Sequence, residues 1–198
     1  MMNARWSFLA VPLLAALGCS DPVPLPAQGA ITVNVRLPSS TSGGSTCPDP
    51  GTAYTVGNPL TPATGTLVDG DNSAHISCSV KPGGAGFAFN GSLSATTTTG
   101  DPYLITATFS GGSVDSTGAG TTDFSLYTPK LSQTFTSSAP CTVQVINGQV
   151  KGGSIWARFS CPSLTNPPSG LCQVGDTDLS TTLNAFSTVI LFENCDGS

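Results

Sequence analysis

Alternation of apolar and polar residues is the feature that most constrains this chain, because a period of two residues fits a half-buried β-strand. Residues 31–37 alternate perfectly, and residues 74–81 repeat the pattern before the turn Pro82-Gly83-Gly84. A returning strand with Phe87, Phe89 and Leu93 on its inner face is predicted next. Residues 185–192 are apolar on both faces, which is typical of a central strand covered from two sides.

Further strands are predicted at residues 103–109, 124–127, 131–135, 141–150 and 154–161. Beyond the first twenty residues, no segment shows an apolar stripe of helical period. Short strands joined by Gly- and Pro-rich turns indicate an all-β fold, an antiparallel β-sandwich of about eight or nine strands. A jelly-roll or an immunoglobulin-like connectivity would both fit. We expect a single domain over residues 30–198.

The low charge content of the chain limits the kinds of partner that it can bind. Charged residues make up only 9% of the chain and the formal net charge is −5. There is no cluster of Lys and Arg from which a phosphate-binding groove could be built. The composition therefore argues against nucleic-acid binding and against electrostatic adhesion to anionic lipid.

The first residues have the architecture of an export signal. Arg5 gives the start of the chain one positive charge, and an apolar run over residues 8–17 follows, interrupted only by Pro12. The run is too short to span a bilayer. It ends in Ala16-Leu17-Gly18-Cys19-Ser20.

This ending resembles the lipobox of bacterial lipoproteins, with Ala16 standing where the family most often has Leu. The resemblance implies cleavage after residue 18, diacylglycerol on the Cys19 thiol and an acyl chain such as palmitate on the new amine. Ser20, in place of the Asp that retains lipoproteins at the inner membrane, implies an outer-membrane, lipid-anchored protein. The alternative is an ordinary secretory signal that leaves Cys19 unmodified. The body is similar to uncharacterised cysteine-containing lipoproteins of Gram-negative bacteria.

Residues 19–29 are expected to form the lipidated anchor and a tether. Pro22, Pro24 and Pro26 alternate with other residues there, which favours an extended polyproline-like spacer.

The chain has seven cysteines. Setting Cys19 aside leaves six that can all form disulfides, as expected in an oxidising compartment. Cys47 with Cys78 is our first expectation. For the others, Cys141 and Cys161 would lie opposite each other if the chain turns at residues 151–153. Pairing of Cys161 with Cys172, and of Cys141 with Cys195, is equally compatible with the sequence.

Metal sites are weakly indicated. No CxxC motif occurs, which argues against zinc. Two short acidic turns offer oxygen ligands for calcium, with Asp69 and Asp71 ahead of Asp176 and Asp178. Neither turn has EF-hand spacing, and such residues are also ordinary turn formers. No cofactor is predicted.

Trp156 and Arg158 are the candidate ligand-binding residues. Alternation places Ile155, Ala157 and Phe159 on one face of their strand and this pair on the other. An exposed indole beside a guanidinium is typical of recognition surfaces and could stack on a sugar. Alternatively, a loop from the segment 161–182 covers Trp156.

Enzyme motifs are absent, including GxSxG, HExxH and a phosphate-binding glycine loop. His75 is the only histidine and Glu193 the only glutamate, so they are the only named candidates for hydrolase chemistry. We expect His75 to point outward beside Ser77 and Ser79. The sequence thus predicts a non-enzymatic, lipid-anchored envelope protein with a binding or structural role. The alternative is a module that binds envelope polysaccharide or protein through Trp156 and nearby loops.

Overall fold

The computed structural model describes residues 23–38, 47–61, 64–166, 170–175, 179, 183 and 187–197. These residues form an all-β, antiparallel fold, as predicted, with a single 3₁₀ turn at Asp71–Ser73 and no α-helix. No helix in the described part of the chain is long and apolar enough to cross a membrane. The twelve strands, in chain order, are β1 Gln28–Arg36, β2 Ala53–Val56, β3 Leu67–Val68, β4 His75–Gly83, β5 Gly86–Thr96, β6 Leu104–Val114, β7 Ala119–Tyr127, β8 Phe135–Ser137, β9 Cys141–Lys151, β10 Ser154–Asn166, β11 Gly170–Val174 and β12 Val189–Glu193.

The twelve described strands fill nine positions of one hydrogen-bonded sheet. Three positions are shared by two strands each and six hold one. β2 and β3 both pair with β1, β11 and β12 both lie between β1 and β10, and β8 and β9 both lie between β10 and β7. β6, β5 and β4 follow in order. The described residues form twelve strands, more than the predicted eight or nine, because several sheet positions are shared by two strands.

This sheet folds over so that its two halves pack face to face. Phe109 on β6 meets the ring of Phe159 on β10 edge-on at 5.0 Å and that of Phe192 on β12 at 6.0 Å. Phe124 on β7 completes the cluster at 4.9 Å from both Phe109 and Phe159. All four rings are almost completely buried. These large buried aromatic side chains add to the apolar contribution that stabilises the fold.

The C-terminal segment, residues 195–197, closes the open edge of the sheet at β4. The Val80 N–H donates to the Asp196 carbonyl at 2.9 Å, and the Asp196 N–H donates to the Cys78 carbonyl at 3.0 Å. A disulfide between Cys78 and Cys195 fixes the same contact. An edge strand that would otherwise present unpaired backbone groups is thus partly covered.

The disulfides confirm one expectation and correct another. All six described cysteines are paired, and Cys141 is joined to Cys161 across neighbouring strands β9 and β10, as one of the two schemes predicted. The expected Cys47–Cys78 bond is wrong, because Cys47 pairs with Cys172. Cys172 lies on β11, beside β1, whereas Cys78 lies on β4 at the far edge of the sheet.

Three other predictions concern the bounds of individual strands and of the tether. The strand expected at 185–192 is observed as β12 at Val189–Glu193, central and with its first four residues buried. The strand expected at 131–135 is wrong, since the chain turns there, with the Leu131 N–H donating to the Thr128 carbonyl, and β8 begins only at Phe135. β1 begins at Gln28, so the last two residues of the expected tether belong to the fold.

Gly91 tests the packing between the two halves of the sheet. A Cβ at this buried position would lie 2.5 Å from the ring of Phe192. We expect Gly91→Ala to lower the free energy of unfolding by about 1–3 kcal/mol, because the core has no room for the methyl group. Urea unfolding of the oxidised protein measures this value.

Gly83→Ala is the matched control, because its Cβ would approach no atom closer than 3.7 Å. Equal destabilisation by both substitutions would contradict the described packing of β5 against β12.

Candidate functional site

Trp156 lies on the face of β10 opposite the main core. Ile155, Ala157 and Phe159 point into that core, as predicted. Trp156 is only 6% exposed, and its indole Nε1–H donates to the Pro59 carbonyl at 2.8 Å. It belongs to a second, smaller apolar cluster with four other buried residues, Ala30, Ile146, Val189 and Leu191.

The prediction of an exposed Trp156–Arg158 recognition pair is therefore wrong. The chain at Pro59, which follows β2, covers the indole, and the indole donor is already used. The alternative, that Trp156 lies buried under a loop, is confirmed, with a contact made by Pro59. Residues 167–169, 176–178 and 180–182 of the segment expected to cover it lie outside the described residues. In Arg158, Nε and Nη1 are shielded from solvent and have no hydrogen-bond partner among the residues that the structure describes. A ligand could reach the Trp156 indole donor only by displacing Pro59.

The acidic turn at residues 69–72 has a structural role. The Asp69 carboxylate accepts a hydrogen bond from the Ile76 N–H at 2.7 Å, and the Asp71 carbonyl accepts one from the Ala74 N–H at 2.8 Å. These bonds hold the turn that leads into β4. Across the described ranges, no group of three or more His, Cys, Asp or Glu side chains could hold a metal ion. Asp176 and Asp178 lie outside the described residues, as does Cys19.

The two candidates for acid–base chemistry occupy different places. His75 is exposed at the start of β4, as predicted, and lies opposite Ser94 of β5. Glu193, at the end of β12, lines a polar cleft of about 400 Å³ with Gln28, Lys151 and Ser154. His75 does not line this cleft.

Among the described residues, Tyr54 is the group whose pKa the fold changes most. Its ring is 2% exposed, and its hydroxyl donates to Asp49 Oδ2 at 2.5 Å. Burial, and then the hydrogen bond to the Asp49 carboxylate, raise the pKa of Tyr54 well above its usual range. A phenol that stays protonated and hydrogen-bonded in this way anchors the loop after Cys47 and offers no nucleophile.

The outer face of the β4–β7 half carries a row of hydroxyl side chains, one from each successive strand position. The strand register places them directly opposite one another: Ser77, Ser92, Thr108, Ser125, Thr136 and Thr165 on β4, β5, β6, β7, β8 and β10. We call this set the hydroxyl row. Strands lie about 4.8 Å apart, so the row spans roughly 24 Å.

A cleft of about 400 Å³ opens at the β4 end of the hydroxyl row. Polar side chains from three neighbouring strands and the C-terminal segment surround it, and Gly91 and the buried Phe109 lie beneath them. The polar set consists of Ser77, Ser79, Asn90, Ser92, Thr108 and Asp196. Asp196 is also paired with Lys81, at 2.8 Å, so the acidic charge at the rim is balanced.

Sequence reasoning missed this surface. The signal was present as runs of Ser and Thr at alternate positions, but alternation alone does not give strand register. These runs are Ser77 and Ser79 on β4, Ser92, Ser94 and Thr96 on β5, and Thr106, Thr108 and Ser110 on β6. Without the register, these residues could not be placed in one row.

The chain matches no protein-family model, no curated protein and no solved structure.

Tyr54 gives a prediction for alkaline pH. Because its pKa is raised in the folded state, its contribution to stability is complete below the unfolded pKa of about 10 and is lost as pH rises above that value. Between pH 8 and pH 11, the unfolding free energy of wild type should fall by about 1.4 kcal/mol more than that of Tyr54→Phe.

Urea unfolding at both pH values measures the difference. Equal decreases in unfolding free energy for wild type and Tyr54→Phe would contradict a buried, protonated Tyr54.

Proposed function

We propose that this chain is a lipid-anchored, non-enzymatic binding protein of the bacterial cell envelope, attached to the outer membrane through Cys19. One observation carries the proposal. The three disulfides use Cys47, Cys78, Cys141, Cys161, Cys172 and Cys195, which leaves Cys19, the cysteine of the lipobox-like signal, as the seventh.

The spacing supports attachment at this point. β1 begins at Gln28, so eight residues, 20–27, separate Cys19 from the sheet. Extended at about 3 Å per residue, they would hold the domain roughly 25 Å from the anchor. Stable membrane attachment needs more than one acyl chain, as the lipoprotein modification provides.

The surface supports a binding role over catalysis. His75 does not line the cleft of Glu193, and the Tyr54 hydroxyl is hydrogen-bonded to Asp49. The second apolar face of β10 is used for packing around Trp156. The hydroxyl row, in contrast, is a line of neutral hydroxyl side chains on exposed and half-buried positions of the outer face, which suits recognition of an uncharged partner. Binding of polysaccharide or protein through Trp156 has no such support, because the indole is covered.

Replacement of Cys19 tests the anchor. When the full chain is expressed in a Gram-negative host fed labelled palmitate, we expect wild type to carry label and to sediment with outer membranes. Cys19→Ser should lose the label and appear in the soluble periplasmic fraction, because no other cysteine is free for acylation.

Ser20→Ala is the matched control and should keep both the label and the outer-membrane location. Ser20→Asp should keep the label but move to the inner membrane. Labelled, membrane-bound Cys19→Ser protein would contradict the proposal.

A further inference from the structure

We propose that the hydroxyl row and the cleft at its β4 end bind a neutral polysaccharide chain. The inference rests on the proposed envelope location, and it names the partner class of the binding surface.

The hydrogen-bonding groups of the row are free for a ligand. Within the described structure, none of its six hydroxyls donates or accepts a side-chain hydrogen bond, and none belongs to a residue with a further unprinted contact. In the next row, by contrast, Ser94 and Thr106 bond to each other at 2.9 Å. A hydroxyl both donates and accepts, so a line of free hydroxyls complements the hydroxyl groups of a sugar.

The cleft adds neutral polar groups around an open space. Ser92, Asn90 and Thr108 line it, and Gly91 has no side chain to fill it, while the Phe109 ring beneath them is only 1% exposed and belongs to the core. The Gly111 N–H donates to the side-chain Oδ1 of Asn90 at 2.9 Å, which fixes the orientation of the Asn90 amide group. A volume of about 400 Å³ lies within the range of small-molecule sites, about 300–1,000 Å³.

Charge selects a neutral polymer over an anionic one. No residue of the hydroxyl row is charged, and the one carboxylate at the cleft, Asp196, is paired with Lys81. A uronic-acid or phosphate-bearing chain would find no free cation along the row and would be repelled by the acidic protein as a whole.

The geometry favours a chain over an isolated sugar. Hydroxyls recur about every 4.8 Å, the distance between neighbouring strands, which is comparable to the length of one sugar unit in an extended polysaccharide. Successive units lying across β4 to β10 could therefore each meet a hydroxyl of the row. Weak single contacts repeated along a polymer add up to useful affinity.

Affinity electrophoresis of the full chain tests the inference. The oxidised protein, purified in detergent, is run through native gels containing dextran, soluble xylan, mixed-linkage β-glucan or polygalacturonate. We expect retardation by at least one neutral polysaccharide and none by polygalacturonate. Ser92→Lys, which fills the cleft with a long charged side chain, should weaken binding at least tenfold.

Ser116→Lys is the matched control, because it makes the same charge change at an exposed position in the β6–β7 turn. It should bind like wild type. Thr108→Val keeps the shape of the side chain but removes one hydroxyl, and it should weaken binding roughly fivefold, the value of one neutral hydrogen bond.

Three results would overturn the inference: no retardation of wild type by any of the neutral polysaccharides, equal loss in Ser92→Lys and Ser116→Lys, or equal binding of polygalacturonate. Thermal unfolding of each variant confirms that it is folded. Palmitate labelling of the same wild-type preparation reports on the anchor separately, so failure of glycan binding and failure of anchoring are distinguishable.

Discussion

The pairing of the C-terminal segment with β4 is the constraint on which the rest of the structure depends. It joins the end of the central strand β12 to the far edge of the same sheet, through two backbone hydrogen bonds and the Cys78–Cys195 disulfide. The sheet is thereby held folded over, with Phe192 against Gly91 in the core. Because the disulfide spans 117 residues, it removes much of the conformational freedom of the unfolded chain, worth about 5 kcal/mol in the loop-entropy model.

This closure also shapes the outer surface. Asp196 and Cys78 form one side of the cleft, and the hydroxyl row begins beside them at Ser77. The core and the proposed glycan surface are therefore two faces of the same strands: Leu93 and Phe109 point inward, while Ser92 and Thr108 point outward. A β-sheet with few charges can remain soluble with such a surface because hydroxyl groups are well hydrated, and the same groups can exchange water for a sugar.

The sequence predicted what is local and missed what depends on distant pairing. Alternation with a period of two residues was sufficient to predict strands β1 and β4 and the hairpin of β9 and β10, because these elements involve neighbours in the chain. That hairpin brings Cys141 to Cys161, one of the two pairings that the sequence left open. Cys47–Cys172 and Cys78–Cys195 join residues 125 and 117 positions apart, and no local pattern reports such contacts. Trp156 was correctly placed on the second face of β10, but its cover comes from Pro59, 97 residues away. The hydroxyl row was hidden for the same reason, because it exists only once the strand register is known.

The central claim is that six cysteines close the fold and the seventh carries lipid. Peptide mass mapping of the non-reduced protein, purified from outer membranes, tests it most directly. The account predicts three linked peptide pairs, Cys47–Cys172, Cys78–Cys195 and Cys141–Cys161, and an N-terminal peptide that begins at Cys19 and carries a diacylglycerol adduct. Recovery of Cys19 in a disulfide-linked peptide, or as an unmodified thiol, would contradict it.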